Sequence, residues 1–164
     1  MPYDPNILEE RLLVVMDTFN ALISASAYLA AVPAVPVLSE RKGDINAEIQ
    51  KALNNLGLSI TVVTPDGDQL KESGDGLSLR VRIVAEIQEN VLINQSKPGT
   101  YRPALGATIA VMKAVDRKPN GLDPAGTRHL TGLNEFHLDK DQPYQLMPAP
   151  RPTYHVTAYT QVEL

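Results

Sequence analysis

The sequence predicts an α+β domain: a mixed or antiparallel sheet of about four to five strands, helices packed on one face, a long N-terminal helix and a C-terminal strand. Between Leu77 and Ile93, apolar side chains fall on odd positions and polar ones on even positions, which is typical of a long strand with one buried and one wet face. Tyr154–Leu164 repeats the alternation. Apolar stripes of helical period lie in Pro5–Ala31, Asp44–Leu56 and Pro103–Val115.

Length and charge narrow the class of protein. A chain of 164 residues suits one domain, which we take as 1–164, with an N-terminal helical segment at 1–32 and a core at 35–164. The net charge is −4 and no basic patch stands out, so the electrostatic footprint of sequence-specific nucleic-acid binding is missing. Cysteine is absent, which excludes disulfides, thiolate metal sites and a cysteine nucleophile.

The N-terminal segment is predicted to be a packed helix and not a membrane span. Leu12–Val32 is largely apolar, but Asp17 and Asn20 interrupt it, and Met1–Arg11 is too acidic for a signal peptide. The helix should stop before Val32-Pro33, because a residue that precedes proline is pushed out of helical geometry. Its stripe consists of Leu8, Leu12, Val15, Phe19, Leu22 and Leu29.

The next elements follow from caps and turn residues. Val35–Leu38 is a candidate edge strand, Asp44 an N-cap and Gly57 the C-cap of the second helix. Leu58–Thr64 should be a strand that ends in the turn Pro65-Asp66-Gly67-Asp68. Gln69–Gly76 is predicted to be a long polar hairpin loop.

The C-terminal third alternates helix, turns and short strands. A helix should start at Thr100 or Arg102 and present a large apolar stripe of Leu105, Ile109, Met112 and Val115, with Gly106, Ala107, Ala110 and Ala114 as its small residues. A turn-rich segment, two short strands and an extended proline bridge should come next, at Asp116–Gly126, Asn134–Leu138, Tyr144–Leu146 and Pro148–Pro152.

No catalytic constellation emerges from the residues. The histidines His129, His137 and His155 are too far apart in sequence for a zinc motif, although the last two could be cross-strand neighbours. No nucleophile elbow, phosphate-binding glycine loop or metalloprotease motif is present. Glu86 and Glu89 should face opposite sides of their strand. We therefore predict no enzymatic activity, no catalytic residue and no cofactor.

The acidic turn near position 66 resembles only part of a calcium loop. Asp66, Asp68 and Asp75 supply carboxylates, but the further ligands and the final Glu are missing, so we predict no metal. Arg80 and Arg82 share a face with Glu86 and could pair across subunits. Contacts are predicted for the 69–76 loop, the 86–93 half of the long strand and the proline bridge. The residues predicted to contact another subunit or a partner are Asp66, Asp68, Lys71, Arg80, Arg82, Glu86, Gln88, Tyr144 and Tyr159.

The order of elements resembles a known family. The helix GDINAEIQKAL at 43–53 leads into LSITVVTP at 58–65, and the strand LRVRIVAEI at 79–87 and the 103–115 helix precede the final YHVTAYT at 154–160. This order is similar to that of the tail-terminator and neck (head-to-tail joining) proteins of tailed bacteriophages. The resemblance covers about residues 35–164. The long N-terminal helix and the proline-rich stretch Pro143–Pro152 depart from that family.

The resemblance implies a structural protein of the virion tail or neck, assembled in the host cytoplasm. Copies would form a ring, with a hexamer expected, that ends tail-tube growth and joins the tail to the head connector. Its partners would be the tail-tube protein, a head-closure or connector protein, and genomic DNA that passes through the bore without sequence-specific binding; no membrane is involved.

Two alternatives stay open. One is another connector-region component, such as a head-closure or tail-completion protein or the cap of a contractile injection device. The other is a small non-enzymatic α+β binding protein with an apolar pocket between sheet and helices. An enzyme would instead require convergent polar groups around His137 and His155.

Overall fold

A computed structural model describes residues 5–73, 76–97, 99, 101–122 and 134–163. The helices are α1 (Pro5–Ser24), α2 (Ala27–Ala30), α3 (Ile45–Asn55), α4 (Val91–Gln95) and α5 (Ala104–Val115). The strands are β1 (Val37–Ser39), β2 (Leu58–Val62), β3 (Asp66–Ser73), β4 (Gly76–Glu89), β5 (His137–Leu138), β6 (Tyr144–Leu146) and β7 (Thr153–Glu163).

All seven strands belong to one mixed sheet, which confirms the α+β class but exceeds the predicted four to five strands. The main order is β1-β2-β4-β7-β5, while β3 also pairs with β4 and β6 also pairs with β7. β2 and β3 pair with successive parts of β4, and β6 and β5 with successive parts of β7. Of the described strand pairs, only β1 and β2 run parallel. The strands therefore occupy five positions across the sheet.

The core lies where the alternation predicts it. The odd-numbered Val81, Ile83, Ala85 and Ile87 of β4 are fully buried, as are the even-numbered core residues of β7, Val156, Ala158 and Val162. Helices α1 and α5 cover this face of the sheet and contribute Val15, Met16, Phe19, Ala107, Val111 and Val115 to one cluster. The long N-terminal helix thus packs on the sheet of its own chain.

The N-terminal apolar stripe is divided between two helices. α1 ends at Ser24, and the short α2 places Leu29 in the core at 1% exposure. The predicted stop before Val32-Pro33 is confirmed, because α2 ends at Ala30. Among the described residues, no helix is both long and apolar enough to cross a membrane.

Helix α3 begins and ends at its predicted caps but lies beside the second face of the sheet. Asp44 accepts a hydrogen bond from the Ala47 amide at 3.3 Å, and Gly57 follows the helix at a φ of 76°. All five residues of β2 are buried, since α1 contacts this strand from one side and α3 from the other. The helices therefore do not all lie on one face.

Two predictions about the hairpin were wrong. The polar stretch predicted as a turn and loop is largely the strand β3, which pairs with β4 from Asp66 to Ser73 through an irregularity between Gly67 and Gln69. At the other end, β4 stops at Glu89, and the Asn90 side chain caps α4 by accepting from the Ile93 amide at 3.3 Å. Pairing with β4 makes β3 a strand, and a local cap ends β4.

Helix α5 is rotated relative to the predicted stripe. It begins at Ala104 after Pro103, and its buried residues are Ala104, Ala107, Thr108, Val111 and Val115. Leu105 and Ile109, which were predicted to face the core, are 43% and 44% exposed. The small residues of the buried side allow the helix to lie close to the branched side chains of the sheet.

The C-terminal strands agree with prediction except in length. β6 has the predicted bounds, whereas β5 is shorter, with Phe136 just before it fully buried. The Phe136 ring meets the Phe19 ring edge-on, at 5.0 Å between centroids. Asp75, Thr100, His129, Leu164 and the 123–126 part of the predicted turn-rich segment lie outside the described residues.

Candidate functional site

The face of the sheet opposite α1 and α5, here called the polar face, carries most of the predicted contact residues. Strand pairing aligns its side chains in rows, because directly opposed residues point to the same side. One row runs through Thr61, Glu86, His155 and Gln145, and we call it the central row. A second runs through Asp66, Arg82, Tyr159 and His137.

Arg80 and Arg82, which the sequence suggested could pair across subunits, form ion pairs with aspartates of their own β3–β4 hairpin. Arg82 Nη2 lies 2.9 Å from Asp66 Oδ2, and Arg80 Nη1 lies 3.3 Å from Asp68 Oδ2. The hydrogen bond to Asp66 raises the pKa of Arg82. Both arginines therefore have partners within their own chain. These exposed pairs stabilise the hairpin by only about 1 kcal/mol or less each.

Tyr159 joins this hairpin to β7 and to the loop after β5. The Arg80 guanidinium lies 3.9 Å from the centroid of the Tyr159 ring, a cation–π geometry. The Tyr159 hydroxyl donates to Asp139 Oδ2 at 3.4 Å. Burial, and secondarily the carboxylates of Asp139 and Asp68, raise the pKa of Tyr159. The phenol is therefore neutral and acts as a hydrogen-bond donor.

On the polar face, the Glu86 carboxylate forms hydrogen bonds to two other side chains. Its Oε2 lies 2.8 Å from His155 Nε2, and Gln88 donates to its Oε1 at 2.5 Å. The hydrogen bond with His155 lowers the pKa of Glu86, and the bond from Gln88 lowers it further, against a rise from burial. A carboxylate that orients an imidazole is chemically capable of proton transfer. It requires a substrate group within reach of the ring.

His137 and His155 do not converge on one site. His155 lies opposite Glu86 and Gln145, whereas His137 lies opposite Tyr159, four residues further along β7. Four strand residues span about 13 Å, so these two histidines are not cross-strand neighbours, contrary to prediction. Within the part of the chain that the structure describes, no group of three or more His, Asp or Glu side chains could hold a metal ion.

Glu89 faces away from Glu86, as predicted, and is buried at 6% exposure. Asn94 donates to its Oε1 at 2.6 Å and to the Arg102 carbonyl at 2.7 Å. Arg102 in turn donates to the carbonyls of Pro33 and Ala31. This polar cluster ties the segment after β4 to the segment before β1, and it is structural.

A cavity of about 590 Å³ lies over the central row, between α3 and β6. Its lining includes Thr61, Glu40 and Gln145, which the sequence did not single out. Thr61 is 4% exposed, and its hydroxyl has no hydrogen-bond partner. The available signal was a threonine placed between two apolar residues, Ile60 and Val62, of the predicted strand.

Among the residues that the structure describes, the outer strands β3 and β6 each pair on one side only, and both carry exposed apolar side chains. Leu70 of β3 is 58% exposed, as is Leu146 of β6, and Tyr144 is 40% exposed. Tyr144 also contacts Tyr154, at 6.1 Å between ring centroids. Lys71 lies in β3 opposite Ser78. Four of the predicted contact residues therefore belong to the outer strands: Asp66, Asp68, Lys71 and Tyr144. The other five lie on the inner strands of the polar face: Arg80, Arg82, Glu86, Gln88 and Tyr159.

Comparisons with known protein families and curated proteins identified no relative of this chain. No protein-family model matches the sequence, and no curated protein matches it significantly.

Proposed function

We propose that this chain is a structural protein of a phage tail that assembles into a ring at the top of the tail. In this role the ring ends growth of the tail tube, joins the tail to the head connector and lets genomic DNA pass through its bore. The partners are further copies of the chain, expected as a hexamer, the tail-tube protein and a head-closure or connector protein. The mature location is the tail or neck of the virion.

The observation that carries the proposal is a pair of sheet edges, at opposite margins, that no other described strand covers. β3 lies outside β4 on one margin, and β6 lies outside β7 on the other. An unpaired strand edge offers backbone donors and acceptors to another chain. Because the two edges belong to different strands, joining one to the other on the next copy is a heterologous contact. Such contacts close into a ring when the rotation per subunit allows it.

The side chains at these margins favour such a contact. Leu70 lies opposite Leu79, while Tyr144 and Leu146 lie opposite Val156 and Tyr154. All of these residues share the face of the sheet that carries the core. If the two edges meet, their exposed apolar side chains come together on the same side and are removed from water.

The charge of the chain is compatible with a DNA passage. The net charge is −4, and both arginines of the hairpin are already paired with aspartates. A bore lined by such a surface would not grip phosphates, because firm binding requires uncompensated basic groups. DNA would therefore slide through the ring.

Native mass spectrometry over a range of protein concentrations, with negative-stain imaging of the same samples, tests ring formation. We expect six-fold rings from the unaltered chain and loss of rings in the Leu70→Asp and Leu146→Asp variants. Leu92→Asp is the matched control, because Leu92 is 83% exposed but belongs to α4 and to neither edge strand. Edge variants that assemble as well as the control would refute edge-to-edge contact.

A second assay separates a terminator from another connector-region component. Purified rings are mixed with growing tail tubes and, separately, with DNA-filled heads that lack tails. A terminator stops tube elongation at a sub-stoichiometric ratio to tube protein. A head-closure protein binds heads first and leaves elongation unchanged. A compact monomer that binds neither tail tubes nor heads would instead support the alternative function of a small binding protein.

A further inference from the structure

The cavity over the central row is built from two kinds of surface. Its floor is the polar face, with Thr61 and Glu86 side by side on paired strands. Its walls include half-buried apolar side chains of α3, of the segment after β2 and of the segment after β6: Ile45, Ile49, Val63 and Met147. A polar floor between apolar walls suits a ligand with a polar end and a hydrocarbon stem.

The floor contains a hydroxyl that the fold leaves unused. Thr61 lines the cavity, and its buried Oγ1 has no hydrogen-bond partner. Buried polar groups in folded proteins nearly always have a partner, since an unpaired one lowers stability. Ser59, two residues earlier on the same strand, is also buried and unpaired but does not line the cavity. The two residues form a natural comparison.

The charges that line the cavity leave an excess of carboxylate. Glu40, Asp66 and Glu86 face one guanidinium, that of Arg82, so the lining carries a net charge of −2 when His155 is neutral. Asp66 is compensated by Arg82 at 2.9 Å. Glu40 receives a hydrogen bond from the Thr64 hydroxyl at 2.7 Å, and Glu86 is hydrogen-bonded to Gln88 and His155. A cation that donates hydrogen bonds would compensate the negative charges of Glu40 and Glu86.

We infer that this cavity binds an alkylguanidinium or alkylammonium group, with Glu86, Glu40 and the Thr61 hydroxyl as acceptors and the apolar walls around the stem. Arginine and lysine side chains fit such a cavity, because their methylene stems pack against apolar surface while their charged ends donate hydrogen bonds. The group can come from a partner protein or from a free amine. The site does not depend on ring formation.

Binding is tested by methyl NMR of the full-length protein, with Ile45, Ile49 and Met147 as reporters, because methyl spectra are readable for monomers and rings alike. The probe is n-butylguanidinium, and n-butylurea is the neutral control of similar shape. We expect saturable shifts at the three reporters with the cation and none with the urea. Equal binding of both probes, or shifts spread over the whole molecule, would overturn the site.

Three variants locate the acceptors. Thr61→Val and Glu86→Gln should each weaken butylguanidinium binding about tenfold, because each removes an acceptor from the cation. Thr61→Val keeps the shape of the side chain and breaks no hydrogen bond, so it should fold as well as the unaltered chain. Ser59→Ala should bind with unchanged affinity. Unaltered binding by Thr61→Val, or a loss in Ser59→Ala equal to that in Thr61→Val, contradicts the inference.

The source of the cation is decided by one further comparison. A blocked tripeptide with a central arginine should bind at least about tenfold tighter than butylguanidinium if the group comes from a partner protein, since the peptide backbone adds contacts. Equal affinities would assign the cavity to free amines. If neither the tripeptide nor butylguanidinium binds, the proposed site is refuted and the ring proposal is unaffected.

Discussion

Replacing Phe136 by alanine should be among the most damaging single changes in the described core. Phe136 is fully buried and packs edge-on against Phe19, which is also fully buried. Truncating such a side chain costs about 3 to 5 kcal/mol through lost burial and the cavity that is left. For a domain of this size, that loss lowers the melting temperature by about 6 to 20 °C.

A double-mutant cycle then isolates the ring–ring contact. Phe19→Ala and Phe136→Ala together should cost less than their sum by about 0.5 to 1.5 kcal/mol, the usual coupling of an aromatic pair beyond its buried area. Urea unfolding at fixed protein concentration, with the slope compared between variants, measures each term.

Tyr144→Ala is the control for loss of an aromatic ring, because Tyr144 is 40% exposed. It should cost about 1 kcal/mol or less. A Phe136→Ala penalty as small as that of Tyr144→Ala would refute the packing of the segment before β5 on α1.

Three further predictions concern the polar face and the ends of helices. His155 and Gln88 lower the pKa of Glu86, so Glu86 adds stability above its usual pKa near 4.5, and that stability is lost as the pH falls through the lower folded value. Glu86→Gln should therefore flatten the acid limb of stability against pH in urea titrations, and an unchanged limb would contradict the assignment. Gly57→Ala should cost at least about 2 kcal/mol, because φ is 76° and a Cβ would lie 2.3 Å from the Asn94 amide nitrogen. A thermal melt within a degree of the unaltered chain would exclude this geometry. Asn90→Ala should cost about 1 kcal/mol by removing the cap of α4, whereas Asn90→Asp should retain most of the stability.

Much of the fold was predictable because it depends on local pattern. The alternation in β4 and β7 assigned both faces of both strands correctly, and Asp44 and Gly57 marked the ends of α3. Such signals act between neighbouring residues, so they survive without knowledge of the rest of the chain.

The errors have a common cause in contacts between distant parts of the chain. β3 is polar and contains a glycine, and it is a strand because β4 supplies a pairing partner. α5 presents its small residues to the sheet, although its larger residues make the more conspicuous stripe. In both cases tertiary packing overrides local preference.

The candidate site was likewise predictable only in part. The residues Arg80, Arg82 and Glu86 were identified on one face from the alternation alone, and the structure keeps them there. Their partners could not be identified, because Asp66, Asp68 and His155 reach them through strand register. Thr61 was missed since nothing in the sequence tells a paired hydroxyl from an unpaired one.

By itself, the sequence determined the class of fold, the buried face of each long strand and the helices that cover one side, because hydrophobic period and capping are properties of short segments. The tertiary structure decided the number of strands, the placement of α3 on the second face and the meeting of Glu86 with His155, 69 residues apart. Register and packing between distant segments are set by the fit of whole surfaces, and a linear pattern does not contain that fit.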